Sequence, residues 1–434
     1  MRGVVIFSLL CGVVATADVA SADDGAQQKP SAVTVSSTSS DGRWQATFNE
    51  DTRFFSWRST QGFPNTVTIP VLPATAPASG SQLYVPVGLQ LVGRPNDDFK
   101  VELTTRSGYI WSRQYTPGAS GEVSTPTDTS FTGKVTYYGF AGWQPFAALS
   151  VNAPTGKTVL LGNSAFARMD PDIVDTPTFG EGWNIGPSVG VNIPLANTLL
   201  LSLGVGYTYR GPYNREGAID PVTQAQGTTR IDPGDQITPT MTIVYSDGKL
   251  TLLGSASYVM ETVTRLDGAP FYRTGANLLV NFGASYNWTN SLSTTLTGLF
   301  SHTARNKVAI LGVPDLVTEA FDSNSNLYKG VLDITYKMGD LSIGPTGSYL
   351  YRDRNGWSST DFQFLPAKTK WTAGVVAGYA VNKQVSFNAR AEHFWILESD
   401  NPGKLAMDTF IPGSAVPVIS TSAWLFTLGG LVTF

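Results

Sequence analysis

The chain has 434 residues; 42% are hydrophobic, 11% aromatic and only 14% charged, and the formal net charge is −4. Ordinary soluble domains carry about 25% charged residues. The aromatic and β-branched content excludes a disordered chain, the slight acidic balance argues against nucleic acid, and 2 His with 1 Cys leave almost no room for a zinc or iron–sulfur centre built from those side chains.

Residues 1–22 read as an export signal. Met1-Arg2 is a short basic start, Gly3 to Ala15 is apolar, and Ala20-Ser21-Ala22 has the small-x-small form of a signal-peptidase site. The apolar run is too short to span a bilayer. It contains Cys11, the single cysteine, so the exported protein depends on no disulfide. Residues 23–41 are Ser/Thr/Gln-rich and read as a disordered periplasmic stub, leaving 42–434 as one folded unit. No later run approaches 18 apolar residues, so transmembrane helices are excluded.

From Gly42 onward the apolar residues recur at every second position, the signature of strands with one apolar face. The pattern predicts strands over 42–58, 81–94, 97–112, 129–143, 145–154, 181–192, 197–210, 236–246, 249–262, 274–288, 292–305, 325–338, 341–354, 368–381, 384–397 and 420–434. The first conflicts with itself: Trp44, Ala46 and Phe48 have one parity, Phe55 and Trp57 the other. A bulge near Glu50-Asp51 would reconcile them; otherwise the segment is no wall strand and the count falls towards fourteen. Most segments are 11–17 residues long, against about 9–11 needed to cross hydrocarbon on a tilt. Tight turns near Asn96, Gln144, Pro194, Asp247, Asn290, Gly339 and Asn382 alternate with longer connectors at 59–80, 113–128, 155–180, 211–235, 263–273, 306–324, 355–367 and 398–419. About sixteen strands joined alternately by short and long links predict an all-β, transmembrane, antiparallel up-and-down barrel with both termini periplasmic. Aromatics on the apolar face gather at strand ends. Tyr245, Trp288, Tyr336 and Tyr379 lie beside short turns; Trp111, Tyr209, Tyr258, Tyr328, Tyr351, Trp395 and Trp424 lie beside long loops. These are two interfacial girdles.

A barrel of about sixteen strands encloses an aqueous channel unless something fills it. Loops 155–180 and 211–235 are the segments long enough to fold inward. Parity places Lys100, Arg106, Lys134, Arg210, Lys329, Lys337, Arg352, Lys368, Lys370 and Arg390 on the inner face, with Glu102, Glu261, Asp333 and Glu392. The wall is then net basic and the acids crowd the loops, among them Asp170, Asp172 and Asp175. Such a pore favours anions modestly, unless the charges form rigid ladders such as Lys100–Glu102–Arg106. The acidic stretch 168–181 lacks the glycine and ligand spacing of a calcium loop, so it reads as a solvated extracellular loop, and no metal or cofactor is expected.

The terminal strand, Trp424, Phe426, Leu428, Gly430, Val432 and Phe434, resembles the C-terminal strand of Gram-negative outer-membrane proteins, which the barrel assembly machinery reads. The resemblance implies insertion in the outer membrane among lipid and lipopolysaccharide, passage of small solutes, and a homo-oligomer as one option. Asn152-Ala153-Pro154-Thr155-Gly156-Lys157 is similar to a strand-then-Pro-Thr-Gly stretch of transporters grouped with meta-pathway phenol degradation, themselves like fatty-acid and aromatic-hydrocarbon uptake barrels. The sequence departs from those in its strand count, its polar inner face and the lack of an N-terminal hatch. The expectation is therefore a porin-like diffusion channel, with hydrophobic uptake and a purely structural surface barrel as alternatives. Enzymatic readings fail on residues: His302 is followed by Thr303-Ala304 where outer-membrane phospholipases have His-x-Ser, and His393 falls on the lipid face.

Overall fold

The computed structural model describes residues 44–59, 77–116, 119–219, 226–358, 364–398 and 420–434. The signal segment, the stub, most of the 59–80 connector and residues 399–419 lie outside these. In chain order the strands are β1 (Trp44–Ser59), β2 (Ala78–Asn96), β3 (Phe99–Thr116), β4 (Ala119–Pro126), β5 (Thr129–Tyr137), β6 (Gln144–Ala153), β7 (Asn184–Ala196), β8 (Leu199–Arg210), β9 (Tyr213–Ile219), β10 (Gln226–Asp232), β11 (Gln236–Ser246), β12 (Leu250–Glu261), β13 (Thr264–Leu266), β14 (Ala269–Arg273), β15 (Asn277–Asn287), β16 (Leu292–Thr303), β17 (Lys307–Val308), β18 (Val317–Thr318), β19 (Leu327–Met338), β20 (Leu341–Arg352), β21 (Lys368–Ala380), β22 (Val385–Glu398) and β23 (Ser420–Thr433).

Seventeen of these form one antiparallel sheet that closes on itself, because β1 pairs with both β2 and β23. β4 and β5 both pair with β3 and share one wall position, so the barrel has sixteen. Closure is what hydrocarbon demands: each backbone N–H and C=O must find its partner within the sheet. The outer face is the apolar one. Leu103, Val189, Leu203, Met241, Phe282, Leu332, Val375 and Leu428 are exposed there, and Trp371, Trp395, Trp424, Trp288 and Tyr379 are exposed near the two ends. The long links gather on one side, where β9, β10, β13, β14, β17 and β18 form a second, six-stranded sheet.

Three expectations are corrected. First, β1 has no bulge. Its register runs unshifted from Trp44 to Ser59 with β2 and from Thr47 to Ser59 with β23, so Glu50 and Thr52 point outward with Trp44 and Phe48, while Phe55 and Trp57 point into the barrel and are buried. Second, 113–128 is no loop. β3 runs on to Thr116 and β4 returns antiparallel beside it. The bulge lies there instead: Arg106 faces Ser130 and Tyr109 faces Pro126, so Ser107 and Gly108 oppose Thr127, Asp128 and Thr129. Third, the inner face is not polar throughout. Phe55, Trp57, Phe394, Ile396, Ala423 and Leu425 form an apolar inner arc across β22, β23 and β1.

Candidate functional site: the loop-filled half of the lumen

The connector between β6 and β7 turns into the barrel. It is the 155–180 segment, with a short 3₁₀ turn at Gly162–Ala167. Its apolar residues Met169, Ile173 and Val174 pack on the inner arc, and Leu160, Ala167 and Phe179 pack on Ile110 and Val123 of β3 and β4. Gly121 permits that approach, since a Cβ there would lie 2.3 Å from the Asn163 carbonyl oxygen. Trp57 Nε1 donates to Met169 Sδ at 3.2 Å, Ser112 Oγ to the Ala167 carbonyl at 2.7 Å, and Gln82 Nε2 to the Thr176 carbonyl at 3.0 Å.

The acidic stretch, expected to be solvated, is buried inside. Asp172 takes the Arg352 guanidinium on both oxygens, at 2.8 and 3.2 Å. Lys368 Nζ lies 2.6 Å from Asp170, 3.5 Å from Asp172 and 3.4 Å from Glu398. Lys370 Nζ donates to the Asp172 carbonyl at 2.7 Å and sits 3.9 Å above the Phe394 ring. Arg53 Nη1 meets Asp175 at 2.9 Å, and its Nη2 meets Asp51 at 2.6 Å. Burial alone would push the Asp172 carboxyl up, but Arg352 and Lys368 beside it hold it well below the usual carboxylate range. On the outside, Arg168 Nη2 meets Glu216 of β9 at 2.9 Å, and Gly162 N donates to Gln226 of β10 at 3.0 Å.

The other inner charges form local groups. Glu102 joins Lys100 at 2.8 Å and Lys134 at 3.9 Å, so Lys134 belongs to the ladder begun at Lys100. Glu261 joins Arg210 at 3.3 Å and accepts from Gln236 Nε2 at 2.6 Å. Arg390 bridges Asp333 at 3.0 Å and Glu392 at 3.3 Å, and donates to Thr346 Oγ1 at 3.1 Å. Lys329 is half-buried on the inner face of β19; Lys337, at the short-turn end of that strand, and Arg106 on β3 are exposed. Eleven of the fourteen inner-face residues read from the sequence are thus brought together in four sets rather than one ring. The reading missed Arg53, Asp51, Gln82 and the three loop aspartates. A signal was present: 169–175 alternates acid with Met169, Ile173 and Val174, which suits a surface that is both apolar and basic.

Between β8 and β19 the inner face is nearly free of charge. Thr240, Thr242, Ser255, Ser257, Asn281, Thr297 and Ser301 face inward and are half-buried. The barrel interior thus has one wall thickened by a salt-bridged loop, and another lined by hydroxyls and amides with Val244, Leu253, Leu279 and Leu299 among them.

No family model matches the sequence, and no curated protein does. Solved structures match at low identity. An outer-membrane channel from Pseudomonas putida F1 is 14% identical over 67% of this chain and 95% of that one, with a TM-score of 0.36. A FadL homologue from Pseudomonas aeruginosa is 10% identical over 90% of each chain, with a TM-score of 0.41. OmpF of Salmonella typhi in complex with daunomycin is 13% identical over 90% of this chain and 97% of that one, with a TM-score of 0.40. At these scores the likenesses bear on neither solute nor mechanism.

Proposed function

We propose that the protein is an outer-membrane channel through which small hydrophilic solutes diffuse passively, with the 155–180 loop narrowing the half of the lumen on the long-loop side. The observation that carries this is the loop itself, packed inside a closed barrel and ion-paired to Arg53, Arg352 and Lys368. The apolar belt and aromatic girdles support residence among lipid and lipopolysaccharide, and the Trp424 to Phe434 strand supports delivery by the barrel assembly machinery. Hydrophobic uptake is less well supported, because the apolar inner arc is occupied by the loop's own Met169, Ile173 and Val174.

Charge selectivity is weak in this reading. The inward acids offset the wall cations that would otherwise attract anions, leaving an anion preference of about threefold or less. Liposomes carrying the refolded protein should swell in neutral sugars at rates that fall steeply with solute size. Absence of swelling with every solute would remove the diffusion reading.

A further inference from the structure

We infer that Asp128, seated in the β4–β5 bulge, is the residue that sets the position of the inward loop and so the width of the channel. This rests on the reading of that loop as the constriction.

The geometry converges on one carboxylate. Asp128 Oδ1 accepts from the Gly156 amide at 2.8 Å, at the start of the loop; Oδ2 accepts from the Glu181 amide at 2.7 Å, at its end. Oδ2 also accepts from Asn152 Nδ2, at 2.8 Å, which in turn donates to the Gly182 carbonyl at 3.2 Å. One side chain therefore fixes both stems of a loop whose far end reaches β20 and β21. The bulge supplies the placement. Inward parity runs through Gly121, Val123 and Thr125 on β4 but through Lys134 and Thr136 on β5, and the extra residue between them turns Asp128 inward.

The stems themselves touch. A Cβ on Gly156 would lie 1.8 Å from the Phe179 carbonyl oxygen, and one on Gly180 would lie 2.8 Å from the Gly156 carbonyl carbon. The Thr155 hydroxyl donates to the Thr127 carbonyl at 2.8 Å, tying the same stem to the bulge. This gives the Pro154-Thr155-Gly156 stretch a role as one side of a pinched neck. Beyond that neck the loop meets the wall through Arg53, Arg352 and Lys368 and through the inner arc, so the angle set at the stems decides whether the aspartate-bearing segment reaches those partners. A carboxylate suits the position because it presents acceptors alone, and the three groups around it are all donors.

The experiment uses the full-length protein and four forms: wild type, Asp128→Asn, Gly156→Ala, and a deletion of 157–179. Asn at 128 keeps the shape but replaces one acceptor by a donor facing a donor. Asp128→Asn and Gly156→Ala should each raise single-channel conductance, by roughly twofold or more, towards the deletion form. Each should also become cleavable by trypsin after Arg168 while the barrel stays heat-modifiable in electrophoresis. Should the deletion raise conductance while both substitutions leave conductance and cleavage at wild-type values, Asp128 does not set the loop. Should the deletion itself conduct like wild type, the constriction reading fails instead. If Asp128→Asn does not fold, Gly156→Ala tests the neck without touching the carboxylate.

Discussion

Asp172 shows how much of the lumen depends on single charges. Its carboxyl is buried against Arg352 and Lys368, which hold it below the ordinary range. Its contribution to docking the loop is present above the unfolded carboxylate value of about 4 and is lost as the pH falls through the lower, docked value. Burial pushes the Asp128 carboxyl up, so it is protonated before Asp172 as the pH falls. Conductance should therefore stay level from about pH 8 to about pH 6 and rise in the acid range, in wild type at a higher pH than in Asp128→Asn, where the Asp172 pairing gives way last. A rise between about pH 8 and about pH 6 would contradict both pairings. Removing the charge outright, as Asp172→Asn, leaves buried cations undercompensated and should weaken the docking by about 3 kcal/mol. The readout is a larger, noisier conductance at neutral pH. On the apolar side, Trp57 is 2% exposed and hydrogen-bonded to Met169. Trp57→Ala should cost about 3–5 kcal/mol, seen as a lower urea midpoint in lipid vesicles.

Single elements differ in how much of them the sequence states. A wall strand between lipid and lumen alternates because its two sides meet different solvents, and β8, β15 and β22 read directly for that reason. β4 and the outer end of β3 are less legible. Trp111, Arg113 and Glu122 share an outward face on which Trp111 Nε1 donates to Glu122 at 2.8 Å, so the alternation fades there. β1 misleads for a third reason. Its inner face is apolar because a loop covers it, and its outer face carries Glu50, hydrogen-bonded by the Thr52 hydroxyl. Glu50 shares the outward parity of Trp44 and Phe48 and lies roughly 20 Å along the strand from Trp44. Glu50→Leu should stabilise the barrel by about 1–3 kcal/mol against urea. An unchanged or lower midpoint would show that the outward carboxylate is compensated in the membrane.

For the whole molecule, closure, sixteen wall positions and outward grease follow from period-two patterning and from the absence of backbone partners in hydrocarbon. What fills the lumen does not follow. Pairing Asp170 with Lys368 spans 198 residues in sequence, and no local periodicity encodes it. The reading named 155–180 as one of two segments able to fold inward but placed its acids in water, since a charge run is usually solvated. Burial became favourable only because Arg352 of β20, Lys368 of β21 and Arg53 of β1, which β22 and β23 separate from β21 round the wall, meet the same segment. The same pairing underlies the weak selectivity we propose, because cations that a ring-like reading leaves facing solute are matched by acids from the loop.

The measurement that bears most directly on a loop-narrowed channel is single-channel conductance of the refolded full-length protein beside the form lacking 157–179. Wild type should conduct steadily with weak ion selectivity, and the deletion should conduct several times more. A wild-type protein that does not conduct, or a deletion indistinguishable from it, would contradict the account.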